Sequence, residues 1–241
     1  MAVFVLSDTH LSFSDSVDKP MNVFGFKWNG HAEKIRSAWS DLVGRDDTVV
    51  IGGDISWAMS LDEALPDLNF LDGLNGNKIL VRGNHDYWWS TLRKMESFRA
   101  EHRLDSINFL NNNAFNADDV TICGSRGWYY EKKGAPADTD YEKIVAREAG
   151  RLEMSLLAGE KISEGREIVA FLHFPPAFCD FVCPELISVL HAHGVKRCYY
   201  GHIHGLYDMP PESEYEGIRL IQTAADYLDF CPISVSKGIK I

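Results

Sequence analysis

The 241-residue chain is short of positive charge: 24 Lys and Arg stand against 35 Asp and Glu, for a formal net charge of −11. That balance leaves no electrostatic footprint for nucleic acid or for an anionic membrane surface. An anionic substrate is still compatible with it, because bound cations reverse the field locally. Long apolar runs are lacking as well, with nothing near the roughly 18 residues that a membrane span needs. The apolar run at residues 2–6 has no basic region before it and no small-residue cleavage site after it, so a cytoplasmic protein is expected. The five cysteines (Cys123, Cys179, Cys183, Cys198 and Cys231) are odd in number and show no CxxC spacing. They read as reduced, mostly buried thiols; the near-pair Cys179 and Cys183 has no second pair or suitably spaced His after it and is assigned to packing. Repeats, low-complexity tracts and linkers are also lacking, so residues 1–241 are taken as one domain.

What is present is an α/β pattern. Short β-rich apolar runs at 3–6, 48–51, 78–81, 120–123, 168–172, 197–200 and 219–222 read as strands. Between them, apolar residues fall at helical spacing: Ala32, Ile35, Trp39, Leu42 and Val43; then Leu61, Ala64, Leu65, Leu68, Leu71 and Leu74; later Ile144, Val145, Ala149, Leu152 and Leu156. These stripes are core faces, and Gly44 and Gly194 sit where helices should stop. Residues 12–30, 128–139 and 208–217 read as long loops of the kind that often carry function.

Five short clusters of metal-capable side chains each follow an expected strand: Asp8-Thr9-His10, Gly52-Gly53-Asp54, Gly83-Asn84-His85-Asp86, His173-Phe174-Pro175-Pro176 and Gly201-His202-Ile203-His204. Ligands of α/β sheets gather at the C-terminal strand edge. Five of the nine histidines lie in these clusters, which scattered core or surface histidines do not explain. Each cluster alone is a weak signal; the set, in this order, is a functional one. Carboxylates, imidazoles and an amide oxygen together suit borderline cations such as Mn²⁺, Fe²⁺/Fe³⁺ or Zn²⁺. Seven donors are too many for one such ion, but they supply two ions if one Asp lends an oxygen to each.

The quoted clusters, from residue 8 to 204, resemble the full signature of the calcineurin-like metallophosphoesterases, and GGDISWAM and RGNHDYWW are similar to a prokaryotic branch of predicted phosphohydrolases. The resemblance implies two mixed β-sheets packed as a sandwich and flanked by helices in four layers, with a dinuclear centre at the strand ends. It implies that Asp8, His10, Asp54 and His204 hold one divalent metal ion and Asp54, Asn84, His173 and His202 the other, with Asp54 as the bridge. By the same resemblance His85 is catalytic, protonating the leaving alkoxide or stabilising phosphoryl oxygens, and Asp86 orients the His85 ring. The expected function is hydrolysis of a small phosphate ester: a deprotonated water between the ions attacks phosphorus in line. Two divalent ions facing Asp8 and Asp54 leave about +2, so the pocket attracts phosphate despite the acidic surface.

Outside the ligand set, Arg82 and Arg126 are candidates to clamp a phosphate, or else surface ion-pair partners. Trp57, Trp88, Trp89, Trp128, Tyr129 and Tyr130 are candidates for an aromatic wall against the substrate, or else packing residues. His31 is a candidate to approach the site, while His102, His191 and His193 read as packing or solvated residues on helices. Asp54 is followed by Ile55-Ser56-Trp57 rather than by the Asp-Arg-Gly of phosphoprotein phosphatases, which argues against a protein phosphatase. The His173-Phe-Pro-Pro cluster is similar to the cyclic-nucleotide and glycerophosphodiester branch, which often has a second His where Phe174 stands, so monoester and diester both stay open. The competing reading is a catalytically silent scaffold on the same fold, against which His85 and the complete donor set count. A nuclease reading would want a basic groove.

Overall fold

A computed structural model of the chain describes residues 1–128 and 140–235; the loop expected at 128–139, apart from Trp128 itself, and with it Tyr129 and Tyr130, lies outside the described residues. In order come β1 (Val3–Leu6), α1 (His31–Leu42), β2 (Thr48–Ile51), α2 (Leu61–Asp72), β3 (Asn77–Leu80), α3 (Leu92–His102) and β4 (Ile107–Phe109). There follow β5 (Phe115–Ala117), β6 (Val120–Ser125), α4 (Tyr141–Ile162), β7 (Glu167–Leu172), the short β8 (Ala177–Phe178) and β9 (Phe181–Val182), and α5 (Pro184–Ala192). The chain ends in β10 (Arg197–Tyr200), β11 (Glu212–Tyr215), β12 (Ile218–Gln222) and β13 (Ile233–Ser234).

Alternation within the strands decides the layering, because successive side chains leave a strand on opposite faces. In β1, Val3 and Val5 enter a central core while Phe4 and Leu6 turn outward; β2 divides in the same way, Val50 against Val49 and Ile51. In β7, Val169 and Phe171 join that central core, and Ala170 and Leu172 face the other way. The central core is therefore the seam between two sheets. One has the order β13-β1-β2-β3-β4 and the other β11-β12-β10-β7-β6-β5. Both are mixed: β13 on β1, β11 on β12 and β5 on β6 are antiparallel, and the remaining neighbours are parallel. Ile35, Trp39, Leu68 and Leu71 of α1 and α2 cover the outer face of the first sheet, and Leu152, Leu156, Leu186 and Leu190 of α4 and α5 cover that of the second. This is the expected four-layer α/β sandwich of two mixed sheets. Among the described residues no helix is long and apolar enough to cross a membrane.

The structure departs from the sequence reading at the edges. Residues 208–217 are not all loop: Glu212–Tyr215 pairs antiparallel with β12, Tyr215 opposite Ile218, around a turn in which Glu216 and Gly217 have φ of 47° and 78°. Glu-Ser-Glu-Tyr on a solvated sheet edge has no inward apolar face to advertise a strand, and acidic residues guard such an edge against further pairing. The third strand begins one residue early, and its Lys78 is fully buried. The Lys78 ammonium donates to the carbonyls of Leu74 (2.7 Å), Gly76 (2.8 Å) and Asp72 (3.3 Å), closing the open carbonyl end of α2. Burial pulls its pKa down to about 8.

Candidate metal centre

The backbone beyond β1 and β2 stays paired after the strands end, which fixes the first donors against one another. Asp8 N–H donates to Gly53 O (2.8 Å), His10 N–H to Asp54 O (3.0 Å) and Leu11 N–H to Ile55 O (2.9 Å). The second sheet is tied in by Ser7 and Thr223, whose hydroxyls are 2.7 Å apart, and by His202 N–H, which donates to Asp8 Oδ2 at 2.9 Å. His85 N–H donates to Asp54 Oδ1 at 2.7 Å, bringing in the loop after β3. Gly83 makes that approach possible, since a Cβ there would land on the backbone nitrogen and Oδ1 of Asp54. Asp8, His10, Asp54 and His202 have φ of 60°, 43°, 49° and 69°. Each such non-glycine residue carries roughly 1–3 kcal/mol of strain, and strain of this kind gathers at functional sites.

The donor atoms form two groups, Asp8, His10 and His204 in one and Asp54, His173 and His202 in the other, each with its ligand atoms within 4.8 Å of one another. Nε2 of His10 and Nε2 of His204 face each other at 3.4 Å, and Nε2 of His204 lies 3.5 Å from Asp8 Oδ1. For bonds of about 2.1 Å to a tetrahedral ion, donors lie ~3.4 Å apart. Asp54 Oδ2 stands between the groups, 3.9 Å from Nε2 of His10 and 3.5 Å from Nε2 of His173. The Asn84 Oδ1 joins the second group, 2.7 Å from His173 Nε2.

The electrostatics of this cluster fit a bound cation. Burial holds His173 and His202 down to about 3, and lowers His10 well below the usual imidazole value, aided by the charge of His204. Unprotonated rings are what a metal ion requires. Burial, followed by the charges of Asp8 and Asp86, pushes the Asp54 carboxyl up to about 9, so that its ionised form wants a positive neighbour. His204 behaves differently: burial opposes its charge, but Asp8 and Asp226 outweigh it and raise the ring to about 10. Asp226 is the functional candidate that the sequence reading missed. Its Oδ1 is 2.8 Å from His204 Nδ1, and its Oδ2 accepts from Gly205 N–H and from the Tyr207 hydroxyl. It lies four residues past the end of β12, at the same strand edge as the five clusters, but Thr-Ala-Ala-Asp carries no ligand pattern.

A cavity of about 350 Å³ opens on the centre, lined by His10, Asp54, His85, His202, His204 and Asp226 on its polar side and by Met21, Phe24, Trp28, Trp57 and Tyr207 on its apolar side. Trp57 stacks on His10 with ring centroids 4.9 Å apart and lies 4.5 Å from the His85 ring. Of the expected aromatic wall, Trp57 alone among the described residues lines this cavity. Trp88 and Trp89 are buried in the core, Trp128 packs on Phe174, and the wall is completed by Trp28 from the 12–30 loop. His85 lines the cavity with Nε2 4.0 Å from Asp54 Oδ2. Asp86 does not orient that ring: its Oδ1 accepts from Ile55 N–H, Ser56 N–H and the Trp88 indole, and its Oδ2 from Gly83 N–H. It lies fully buried beneath the loops and holds them in register. His31 sits behind the centre, Nε2 3.3 Å from His10 O, and Arg82 and Arg126 line a different cavity altogether.

An α/β sandwich with carboxylate, imidazole and amide donors converging at its strand ends defines a candidate metal-binding protein. The chain belongs to the calcineurin-like phosphoesterase family, whose model matches residues 1–206. No curated protein matches it. Among solved structures it is similar to the phosphopantetheinyl hydrolase PptH of Mycobacterium tuberculosis, with 16% identity, a TM-score of 0.57, and 100% of this chain and 97% of that one covered. It is also similar to GAP50, the anchor in the inner membrane complex of Plasmodium, with 12% identity, a TM-score of 0.50, and 94% and 72% of the two chains covered. At these identities the likeness is one of fold.

Proposed function

We propose that the protein hydrolyses phosphate esters of small molecules with two divalent metal ions, one held by Asp8, His10, Asp54 and His204 and the other by Asp54, Asn84, His173 and His202. The observation that carries this reading is Asp54 Oδ2, placed between Nε2 of His10 and Nε2 of His173 at the mouth of a cavity. Mn²⁺, Fe²⁺/Fe³⁺ and Zn²⁺ suit the donor set. When bound, such ions supply Lewis acidity and lower the pKa of water. The protein's own part is to hold the ions on the Asp8, Asp54 and His202 side of the cavity and to offer the His85 imidazole to the leaving oxygen. Trp57 packs against the His85 ring, and the backbone N–H of His85, which donates to Asp54 Oδ1, anchors the loop that carries it.

The apolar side of the cavity favours an ester whose leaving group is flat or bulky and apolar. Phe24 on that side is 64% exposed and carries the apolar surface to the cavity opening. The test is hydrolysis of p-nitrophenyl phosphate and bis-p-nitrophenyl phosphate by chelator-stripped protein before and after Mn²⁺. Turnover that appears with the metal and drops at least ~100-fold in His85→Ala, with metal content unchanged, is the expected result. The ratio of the two rates separates monoesterase from diesterase. No turnover of either ester by protein holding two ions per chain would return the scaffold reading.

A further inference from the structure

A second cavity, of about 490 Å³, shares no lining residue with the one at the metal centre. Three arginines, Arg82, Arg126 and Arg151, line it together with a single carboxylate, Glu148. Glu148 is buried, its side chain 1% exposed, and its Oε1 accepts from both Arg126 (2.8 Å) and Arg151 (2.6 Å). One carboxylate against three guanidinium groups leaves an excess of about two positive charges in a concave wall of a chain whose net charge is −11. The remaining acid that bears on Arg82 is Asp86, and its oxygens are already taken up by backbone and indole donors.

Polar atoms in this wall lack partners. Nε of Arg82, Nε of Arg126 and Oε2 of Glu148 are all buried with no hydrogen bond among the described residues. Buried groups of this kind are normally satisfied, so the wall that carries the three arginines is short of hydrogen bonds. The N-terminus of α3 also opens here, through Ser90, Thr91 and Leu92. Thr91 caps that eleven-residue helix by accepting from Lys94 N–H, and the helix end adds its partial positive charge to the same space. Asn111 and Asn112 supply amides that donate or accept on another part of the wall.

We propose that this cavity is a second anion site, which takes the phosphoryl group of a small phosphorylated molecule without any metal ion. Arg82, Arg126, Arg151 and the α3 N-terminus hold the phosphoryl oxygens, with Glu148 Oε1 keeping Arg126 and Arg151 in place. Its volume admits a phosphoryl group together with a polar body of sugar size. The site adjoins the metal centre along the backbone: Arg82 leads directly into Gly83-Asn84, and Arg126 O accepts from the N–H groups of His173 (3.2 Å) and Phe174 (3.0 Å).

The experiment is equilibrium dialysis of the full chain against radiolabelled inorganic phosphate, metal-loaded and after chelation. Arg82→Ala is the variant of choice, because removing Arg126 would strand the buried Glu148 charge; Arg82→Lys serves as a second variant that keeps the charge but loses the planar fork. The expected result is a class of sites, one per chain, that survives chelation and weakens about 10-fold or more in Arg82→Ala, with unchanged thermal unfolding confirming the fold. Binding by metal ions at the other cavity adds a second phosphate that chelation removes, so the failure of either reading is seen separately. Phosphate binding that vanishes entirely on chelation, or that is the same in Arg82→Ala as in the wild type, would overturn the proposal.

Discussion

Asp226→Asn isolates one link in the metal centre without changing its shape. The carboxylate accepts from His204 Nδ1 at 2.8 Å, which leaves Nε2 of that ring to face Asp8 Oδ1 at 3.5 Å and His10 Nε2 at 3.4 Å. An amide in its place can turn its NH₂ toward Nδ1, which favours the tautomer with its proton on Nε2, where an ion would sit. Loss of a carboxylate behind a metal-binding His typically weakens the metal 10- to 100-fold, which is about 1.4–2.8 kcal/mol. The loss should fall on the group formed by Asp8, His10 and His204 and leave the group of Asp54, His173 and His202 within about 2-fold. Stepwise titration of chelator-stripped protein with Mn²⁺ or Zn²⁺ by calorimetry reads the two sites. Tyr207→Phe is the control: it removes only the hydroxyl 3.0 Å from Asp226 Oδ2 and should change affinity by a few-fold at most. Wild-type affinity at both sites in Asp226→Asn, or an equal loss at both, would refute the reasoning.

Three further outcomes follow from the same geometry. Gly83→Ala places a methyl group on the backbone of Asp54, which cannot move without breaking the pairing with His10; a loss of about 3 kcal/mol or more in urea unfolding and loss of both metal ions are expected, and near-wild-type stability would contradict the packing. Chelation should lower the thermal midpoint, since ions at 100 times their dissociation constant add about 2.7 kcal/mol per site, equivalent to roughly 5–10 °C in a chain of this size; an unchanged midpoint in protein shown to have lost its ions would count against buried ligation. His193 sits between Glu160 (2.7 Å) and Glu153 (3.2 Å), and although burial opposes its charge these partners raise its pKa. Its contribution is present in full below the unfolded value of about 6.5 and is lost as pH rises through the raised folded value, so His193→Gln should destabilise at pH 5.5, by under about 1 kcal/mol because both glutamates are exposed, and by almost nothing at pH 9. A pH-independent difference in urea unfolding would sink that account.

Much of this protein is legible along the chain because it depends on local repetition. Short β-rich apolar runs at residues 3–6, 48–51 and 168–172 marked strands whose two faces separate into two cores, and helical spacing through Ile35, Trp39, Leu68, Leu71, Leu152 and Leu156 marked the layers outside them. The donors at the ends of those strands were legible too, since the C-terminal edge of a parallel strand is where loops converge. The edge strand at Glu212–Tyr215 was not, because a solvated strand needs no apolar periodicity.

Side-chain direction was decided only by the tertiary structure. Arg82 and Arg126 stand next to the site in sequence and yet line another cavity, while Trp28 and Asp226, which belong to no pattern, line the cavity at the metal centre. Asp86 follows His85 in the chain but turns beneath the loops, since four buried N–H groups converge there and a carboxylate satisfies them. A sequence states which donors each strand end carries. Which of them meet depends on how two sheets close over a shared core, and that is set by contacts between residues as far apart as Ser7 and Thr223.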